Sequence, residues 1–416
     1  MQSRLASGTP TSESAGAAAA ATPPHGRRLY DPGVPTRLAA RLEDLETPCL
    51  LLDRERMERN VARLRAHLAP LGVALRPHLK TVKSVDAARL LLAGRDGPAA
   101  VSTLKEAEVF ATAGVRDILY AVGIAPRKLA RVLAIRAGGC DLSIVLDSPE
   151  QASMVAEVSR QSADALPALI EIDADGHRSG LRPDDPAVIE VGRILHERGA
   201  ELRGVVAHAG ESYGAVGGDA LAAFAERERA AAVAAADALR AAGLPCPVVS
   251  VGSTPTAFFA RDLAGVTEAR AGVFPFFDLV MAGIGVCSID DVALSVLATV
   301  IAHQRDRGWI IVDAGWMALS RDRGTAAQAV DQGYGLVCDL AGRPIDGLIM
   351  VAANQEHGIV AARPGSDARV PELPIGTLLR ILPNHACATA AQHDAYHVLP
   401  HDPEQPVISW PRFGGW

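Results

Sequence analysis

The chain has 416 residues, enough for two or three domains at about 150 residues each. Hydrophobic residues at 49% and charged residues at 21% are globular proportions, and 38 Gly with 27 Pro stay below the level of low-complexity disorder. Lys+Arg 41 against Asp+Glu 48 gives −7, with no long basic run and no apolar stretch of bilayer length; this argues against a nucleic-acid or membrane partner and predicts a soluble, cytoplasmic protein.

Residues 1–28 are rich in Ala, Ser, Thr, Pro and Gly and read as a disordered tail, joined to the folded chain by residues 29–47. From residue 48 short apolar runs alternate with longer segments of helical period. The predicted strand starts are Cys49–Leu52, Val73–Lys80, Ala100–Thr103, Ile118–Val122, Leu142–Asp147, Ala168–Asp173, Gly204–His208 and Val248–Gly252, each leading to a helix, with a ninth apolar segment at Glu268–Phe274. Eight such units predict an α/β fold, a (β/α)8 TIM barrel over 48–290. Beyond it, short strands separated by Gly, Pro and Asp predict a C-terminal antiparallel β-domain over 291–416. A doubly wound sheet fits less well, because no Gly-rich dinucleotide fingerprint follows an early strand.

In a barrel the chemistry sits where strands end. The second strand ends in Arg76-Pro77-His78-Leu79-Lys80-Thr81, and a lysine there faces the active end, where partial desolvation suits Schiff-base work. Lys83 competes with it but lies further into the following helix. The sixth strand runs into a polar loop containing His177-Arg178-Ser179-Gly180-Leu181, and the seventh into His208-Ala209-Gly210-Glu211-Ser212-Tyr213. The eighth ends in Gly252-Ser253-Thr254-Pro255-Thr256, which reads either as an ordinary helix cap or as a phosphate cradle. Arg270-Ala271-Gly272-Val273 follows, where glycine lets backbone approach a ligand. Six scattered cysteines form no CxxC, and five read as small buried hydrophobes. The sixth, Cys387, lies two residues from His385; on an extended strand both side chains would share a face, and imidazole with thiolate suits zinc.

In order, R-P-H-x-K-T, H-R-S-G-L, H-A-G-x-S-Y, G-S-T-P-T, E-x-R-x-G and P-N-H-x-C resemble the D-serine dehydratase and D-threonine aldolase family, from about Leu45 to Leu399. These are pyridoxal-phosphate enzymes of the alanine-racemase fold type with a metal beside the cofactor. The resemblance implies that Lys80 carries pyridoxal 5'-phosphate and acts on substrate. It implies that Gly252, Ser253, Thr254, Gly272 and Val273 bind the phosphate, and that His78, Arg178, His208 and Tyr213 surround the cofactor. His385 and Cys387 would hold a divalent metal, zinc ahead of manganese or magnesium, with His385 and Gln355, in the polar segment Asn354-Gln355-Glu356-His357, at the reacting centre. A head-to-tail homodimer is implied too.

Two residues depart from the family pattern. Val82 stands where many relatives have a second histidine, and Glu211 stands where dehydratases often show H-A-G-H-S-Y. The H-x-C pair resembles the dehydratase branch, whereas the aldolase branch has H-x-D. The expected function is therefore a lyase removing water and ammonia from a D-3-hydroxy amino acid to leave a 2-oxo acid. The alternatives are retro-aldol cleavage to glycine and an aldehyde, racemisation, and a non-catalytic pyridoxal-phosphate-binding protein.

Overall fold

The computed structural model describes residues 41–176, 178–402 and 405–416; the predicted tail, the joining segment up to residue 40 and His177 lie outside these residues. Strand β1 (Cys49–Asp53) runs into the helix Arg54–Leu68. Asp53 caps that helix by accepting the Arg56 N–H at 3.0 Å, and Met57, Val61, Leu64 and Leu68 recur at helical spacing on its buried face. The strands that follow are β2 (Ala74–Pro77), β3 (Ala99–Val101), β4 (Asp117–Gly123), β5 (Asp141–Leu146), β6 (Pro167–Ile172), β7 (Glu201–Ala207), β8 (Val248–Val251) and β9 (Glu268–Ala271). They form one parallel sheet in the order β2-β9-β8-β7-β6-β5-β4-β3, and a bridge between His78 and Ala100 brings its two edges together. This is the nearly closed eight-stranded barrel.

The strand count reaches eight by a different route from the one expected. β1 is not a barrel strand; it pairs antiparallel with β10 (Leu294–Gln304) and parallel with β16 (Ala395–Leu399), and the ninth predicted segment, β9, takes the vacated place in the barrel. Four of the five β1 residues are buried, so its apolar run is indistinguishable from that of a barrel strand covered on both faces.

The remaining strands are β11 (Trp309–Val312), β12 (Leu336–Cys338), β13 (Pro344–Ala353), β14 (Gly358–Ala362), β15 (Leu378–Leu382) and β17 (Ile408–Pro411). The sheet order β11-β14-β13-β12-β15-β10 closes on itself because β10 also pairs with β11, which gives a six-stranded antiparallel barrel. β1, β16 and β17 extend from it. β12 and β17 had no clear sequence signal. The helix Arg54–Leu68 ties the two parts together through Asn60, which is buried and donates to the carbonyls of Pro275 and Asp291.

Inside the parallel barrel, Ala100, Leu119, Val145, Leu169 and Val206 form an apolar layer. A close approach of β7 to β8 demands glycine at 204, where a Cβ would lie 1.9 Å from the Val248 carbonyl oxygen. Below the apolar layer, at the amino-terminal end, Arg76 donates to Glu268 (2.8 Å) and Asp117 (2.7 Å). Arg76 of the R-P-H-x-K-T motif thus belongs to the floor of the barrel and not to its active end. Replacing it by leucine leaves Glu268 buried without its cation, a loss of about 3–5 kcal/mol. We expect Arg76→Leu to unfold at markedly lower urea than wild type, and an unchanged midpoint would refute the structural role.

Candidate active site

At the carboxyl end of the barrel strands lies a cavity of about 790 Å³, a size suited to a cofactor with its substrate. His78, Lys80, Arg178, His208, Tyr213, Gly252, Ser253, Gly272, Val273, His385 and Cys387 all line it. The cavity therefore gathers eleven of the thirteen sequence-predicted residues from distant points in the chain.

Lys80 sits in the turn beyond β2. That turn is pinned to both neighbouring strands, by the His78 N–H to Ala271 (2.7 Å) and the Leu79 N–H to Ala100 (2.8 Å). With Leu79 fully buried, the next side chain is delivered to the cavity. The sequence contains four lysines, and Lys80 is the one that lines this space. Lys83 precedes its helix rather than lying inside it, and pairs with the buried Glu106 at 3.3 Å. Lys128 donates to the Tyr120 hydroxyl.

Two imidazoles flank the lysine. His78 accepts from the Lys80 N–H and faces the Ser102 hydroxyl. His208 Nδ1 lies 3.0 Å from the Gly252 carbonyl, which can only accept, so Nδ1 carries the proton. Burial pushes His208 down to about 3; the Gly252 carbonyl opposes this, and Arg178, Arg270 and Lys80 reinforce it. His78 is also lowered, chiefly by burial and then by Lys80.

The glycine-hydroxyl loop after β8 is tightly built. Gly252 has φ +131°, and a Cβ there would meet the Arg270 carbonyl oxygen at 2.2 Å. Ser253 caps the helix Thr254–Phe259 through the Thr256 N–H and touches the Ser212 hydroxyl at 3.0 Å. Thr254 is fully buried behind the rim instead of lining the cavity, and its hydroxyl accepts from the Gly272 and Val273 N–H groups, both at 3.2 Å. Thr254 thus joins the two loops from which a phosphate would be held. Arg178 lies 3.7 Å from Glu171, and Tyr213 is pushed well up by burial.

His385 and Cys387 reach the cavity, but not from a strand. His385 is the N-cap of a short helix, Ala386–Ala390, and Cys387 lies in its first turn. A buried carboxylate explains the local fold: Asp278 accepts from the Ala386 N–H (2.9 Å) and the Met281 N–H (3.0 Å), capping two short helices at once. His385 Nδ1 meets Asp322 Oδ2 at 2.6 Å, and Cys387 Sγ lies 3.1 Å from the Thr81 hydroxyl, next to Lys80. Burial opposes charge on both side chains. The bonds to Asp322 and Cys387 nevertheless lift His385 well above the usual imidazole range, and His385, Lys80 and Thr81 bring Cys387 below the usual thiol range. Among the described residues no three His, Cys, Asp or Glu side chains converge as a ligand set. Gln355 is not brought here; it lies in an exposed turn between β13 and β14. Of the other cysteines, Cys49, Cys140, Cys246 and Cys338 are buried as expected, and Cys287 is half-buried.

Residues 52–279 match the family "Alanine racemase, N-terminal domain", and residues 293–399 match "Putative serine dehydratase domain". The chain belongs to this fold-type III pyridoxal-phosphate family. Over 375 residues it is 56% identical to D-threo-3-hydroxyaspartate dehydratase of Delftia sp. (strain HT23), covering 89% of this chain and 98% of that one. The solved structure of that protein superposes with a TM-score of 0.87 at 55% identity, covering 91% and 100% of the two chains. A cysteine-to-alanine mutant of it has been solved in the metal-free form. D-threonine aldolase of Arthrobacter sp. is 30% identical, covering 86% of this chain and 90% of that one.

Arg270, Asp278 and Asp322 line the site without having been singled out for it. Arg270 was legible only as the middle of E-x-R-x-G. It is buried and donates to the Ser250 hydroxyl and the Ala207 carbonyl. Asp322, in Ser320-Arg321-Asp322-Arg323-Gly324, carries no motif at all.

The depressed histidines make stability depend on pH. An unfolded histidine takes up its proton near pH 6.5, whereas folded His208 resists until about pH 3. Between those values the unfolded state binds more protons, so stability falls as pH is lowered below about 6.5. We expect the thermal midpoint to drop from pH 7 to pH 5, and the drop to be smaller in the His78→Asn/His208→Asn double variant. Equal slopes would contradict the neutral-imidazole assignment.

Proposed function

We propose that this protein is a dehydratase for D-3-hydroxy amino acids, with D-threo-3-hydroxyaspartate as its preferred substrate and oxaloacetate and ammonia as products. The observation that carries the reading is the contact between the Thr81 hydroxyl, adjacent to Lys80, and Cys387. It brings the turn that carries Lys80 against Cys387 in one cavity, which supports reading Lys80 as the base and His385 with Cys387 as the metal pair. The 56% identity to D-threo-3-hydroxyaspartate dehydratase supports the substrate.

The residues present fit both groups that the family uses. A single cavity lysine, a glycine that no Cβ could replace at 252 and hydroxyl-bearing loops at Ser253 and Thr254 suit pyridoxal phosphate. An imidazole and a thiol two residues apart suit a divalent ion of the zinc type, and two protein ligands leave positions for substrate oxygen. Pyridoxal phosphate, when bound, supplies an electron sink for the charge left at Cα. A divalent metal supplies a Lewis acid that weakens the bond to the β-hydroxyl.

The chain's own groups do the rest. Lys80 Nζ would hold the cofactor and, when free, would remove the Cα proton as general base. Neutral His208, donating Nδ1–H to Gly252, offers Nε2 as an acceptor toward the cavity. Arg178 and Tyr213 line the same cavity, Tyr213 beside His208, and would orient the ring of a bound cofactor. His385 and Cys387 would hold the metal, which would supply a Lewis acid for the β-hydroxyl. Loss of the proton from Cα and hydroxide from Cβ amounts to loss of water. The resulting enamine tautomerises to an imine, and water hydrolyses it to the 2-oxo acid and ammonia. The same proposal includes zinc as the native metal, a homodimer and a cytoplasmic location. Among the described residues no helix is long and apolar enough to cross a membrane. Exposed Met317 and Val330, in the segments flanking Asp322, are apolar surface that a second subunit would cover.

Borohydride reduction of the purified enzyme should leave a pyridoxyl adduct on the peptide containing Lys80, and an adduct at another lysine would displace it from the mechanism. With D-threo-3-hydroxyaspartate we expect oxaloacetate and ammonia in equal amounts, and at least about a hundredfold loss of rate after chelation. Glycine and glyoxylate as products would assign the chain to the aldolase reaction instead.

A further inference from the structure

Two carboxylates stand beside the His385–Cys387 pair, and they differ in what they have left to offer. Asp278 spends both oxygens on backbone, Oδ1 on the Met281 N–H and Oδ2 on the Ala386 N–H. Asp322 spends only Oδ1 on its own loop, accepting from the Gly324 N–H at 2.8 Å, and turns Oδ2 to His385 Nδ1 at 2.6 Å. The loop that carries it is fastened to the H-x-C segment at the preceding residue. Asn384 is buried and donates to the Asp322 carbonyl (3.2 Å) and the Gly333 carbonyl (2.7 Å), while accepting from the Thr325 hydroxyl (2.9 Å). Asp322 and His385 are therefore held as one unit, although 63 residues separate them.

We propose that Asp322 is the positioning residue of the metal site. Its carboxylate accepts the Nδ1 proton of His385, which fixes the tautomer and leaves Nε2 as the nitrogen offered to the metal beside Cys387. An imidazole otherwise free to rotate or to exchange its proton between nitrogens would present the wrong atom part of the time. A carboxylate partner also raises the basicity of the ligating nitrogen. Asn384 acts one step further out by holding the Asp322 loop, which accounts for the Asn in P-N-H-x-C. The inference rests on reading His385 and Cys387 as the metal pair.

The test uses the pyridoxal-phosphate-loaded enzyme and zinc(II), titrated in competition with a chromogenic chelator, for wild type, Asp322→Ala and Asp322→Asn. Asp322→Ala should bind zinc about 10–100-fold more weakly. Asp322→Asn has a single acceptor oxygen, so serving the Gly324 N–H turns an amide N–H toward His385 Nδ1 and favours the other tautomer; it should weaken zinc binding by a similar factor. Cofactor content and circular dichroism should match wild type in both. Proton NMR of the zinc-loaded wild type should show a downfield Nδ1–H resonance that Asp322→Ala lacks. Equal zinc affinity in all three proteins, or absence of that resonance from wild type, overturns the role of Asp322 while leaving the metal pair in place. A wild type that binds no zinc, or binds it equally after Cys387→Ala, overturns the metal pair and this inference with it.

Discussion

The turn that follows Lys80 is held from two sides, and the active site depends on that clamp. From the barrel, His78 and Leu79 bond to Ala271 and Ala100. From the β-domain, the Tyr396 hydroxyl donates to the Val82 carbonyl at 2.7 Å, Arg412 Nε donates to the same carbonyl, and the Phe413 N–H donates to Lys83. Lys83 adopts φ +37°, a left-handed conformation that costs a non-glycine residue about 1–3 kcal/mol and persists only where its surroundings impose it. Three residues close to the carboxyl terminus of the chain thus set where the lysine near its start can point.

This clamp explains why the second domain is part of the catalytic unit and not an appendage. β1 lies in the β-domain sheet, so the chain visits that domain before it begins the barrel and returns to it afterwards. The Thr81–Cys387 contact closes the circuit by joining the Lys80 turn to the proposed metal ligand. Any shift of one domain against the other would separate Lys80 from the His385–Cys387 pair. Tyr396, fully buried and edge-on to Phe276, fastens the same joint with apolar contact.

Much of the site was legible because its residues are tied to local chemistry. A lysine just past a strand end, glycines where backbones nearly touch and a His/Cys pair each leave a pattern of residue types. Their supports were not legible. Asp322, Asp278 and Arg270 act through partners tens to more than a hundred residues away, and an aspartate in a polar loop looks the same whether it orients a ligand or faces solvent. The Thr254 hydroxyl turns to the Gly272 and Val273 N–H groups and not to the cavity, and sequence cannot say which side of a rim a hydroxyl takes. The strand geometry expected for His385 and Cys387 gave way to a helix because Asp278 caps the Ala386 N–H.

The sequence by itself determined the alternation of strands and helices, the change to β texture after residue 290, a lysine just past a strand end and the order of motifs that marks the family. These follow from hydrophobic period and local residue chemistry, which neighbouring positions carry on their own. Only the tertiary structure decided that β1 leaves the barrel for the second sheet, that Arg76 supports the floor and not the active end, and that Asp322 faces His385. Each of these depends on which buried surfaces and unpaired polar groups meet across long separations, and satisfying those groups is a property of the whole packed chain.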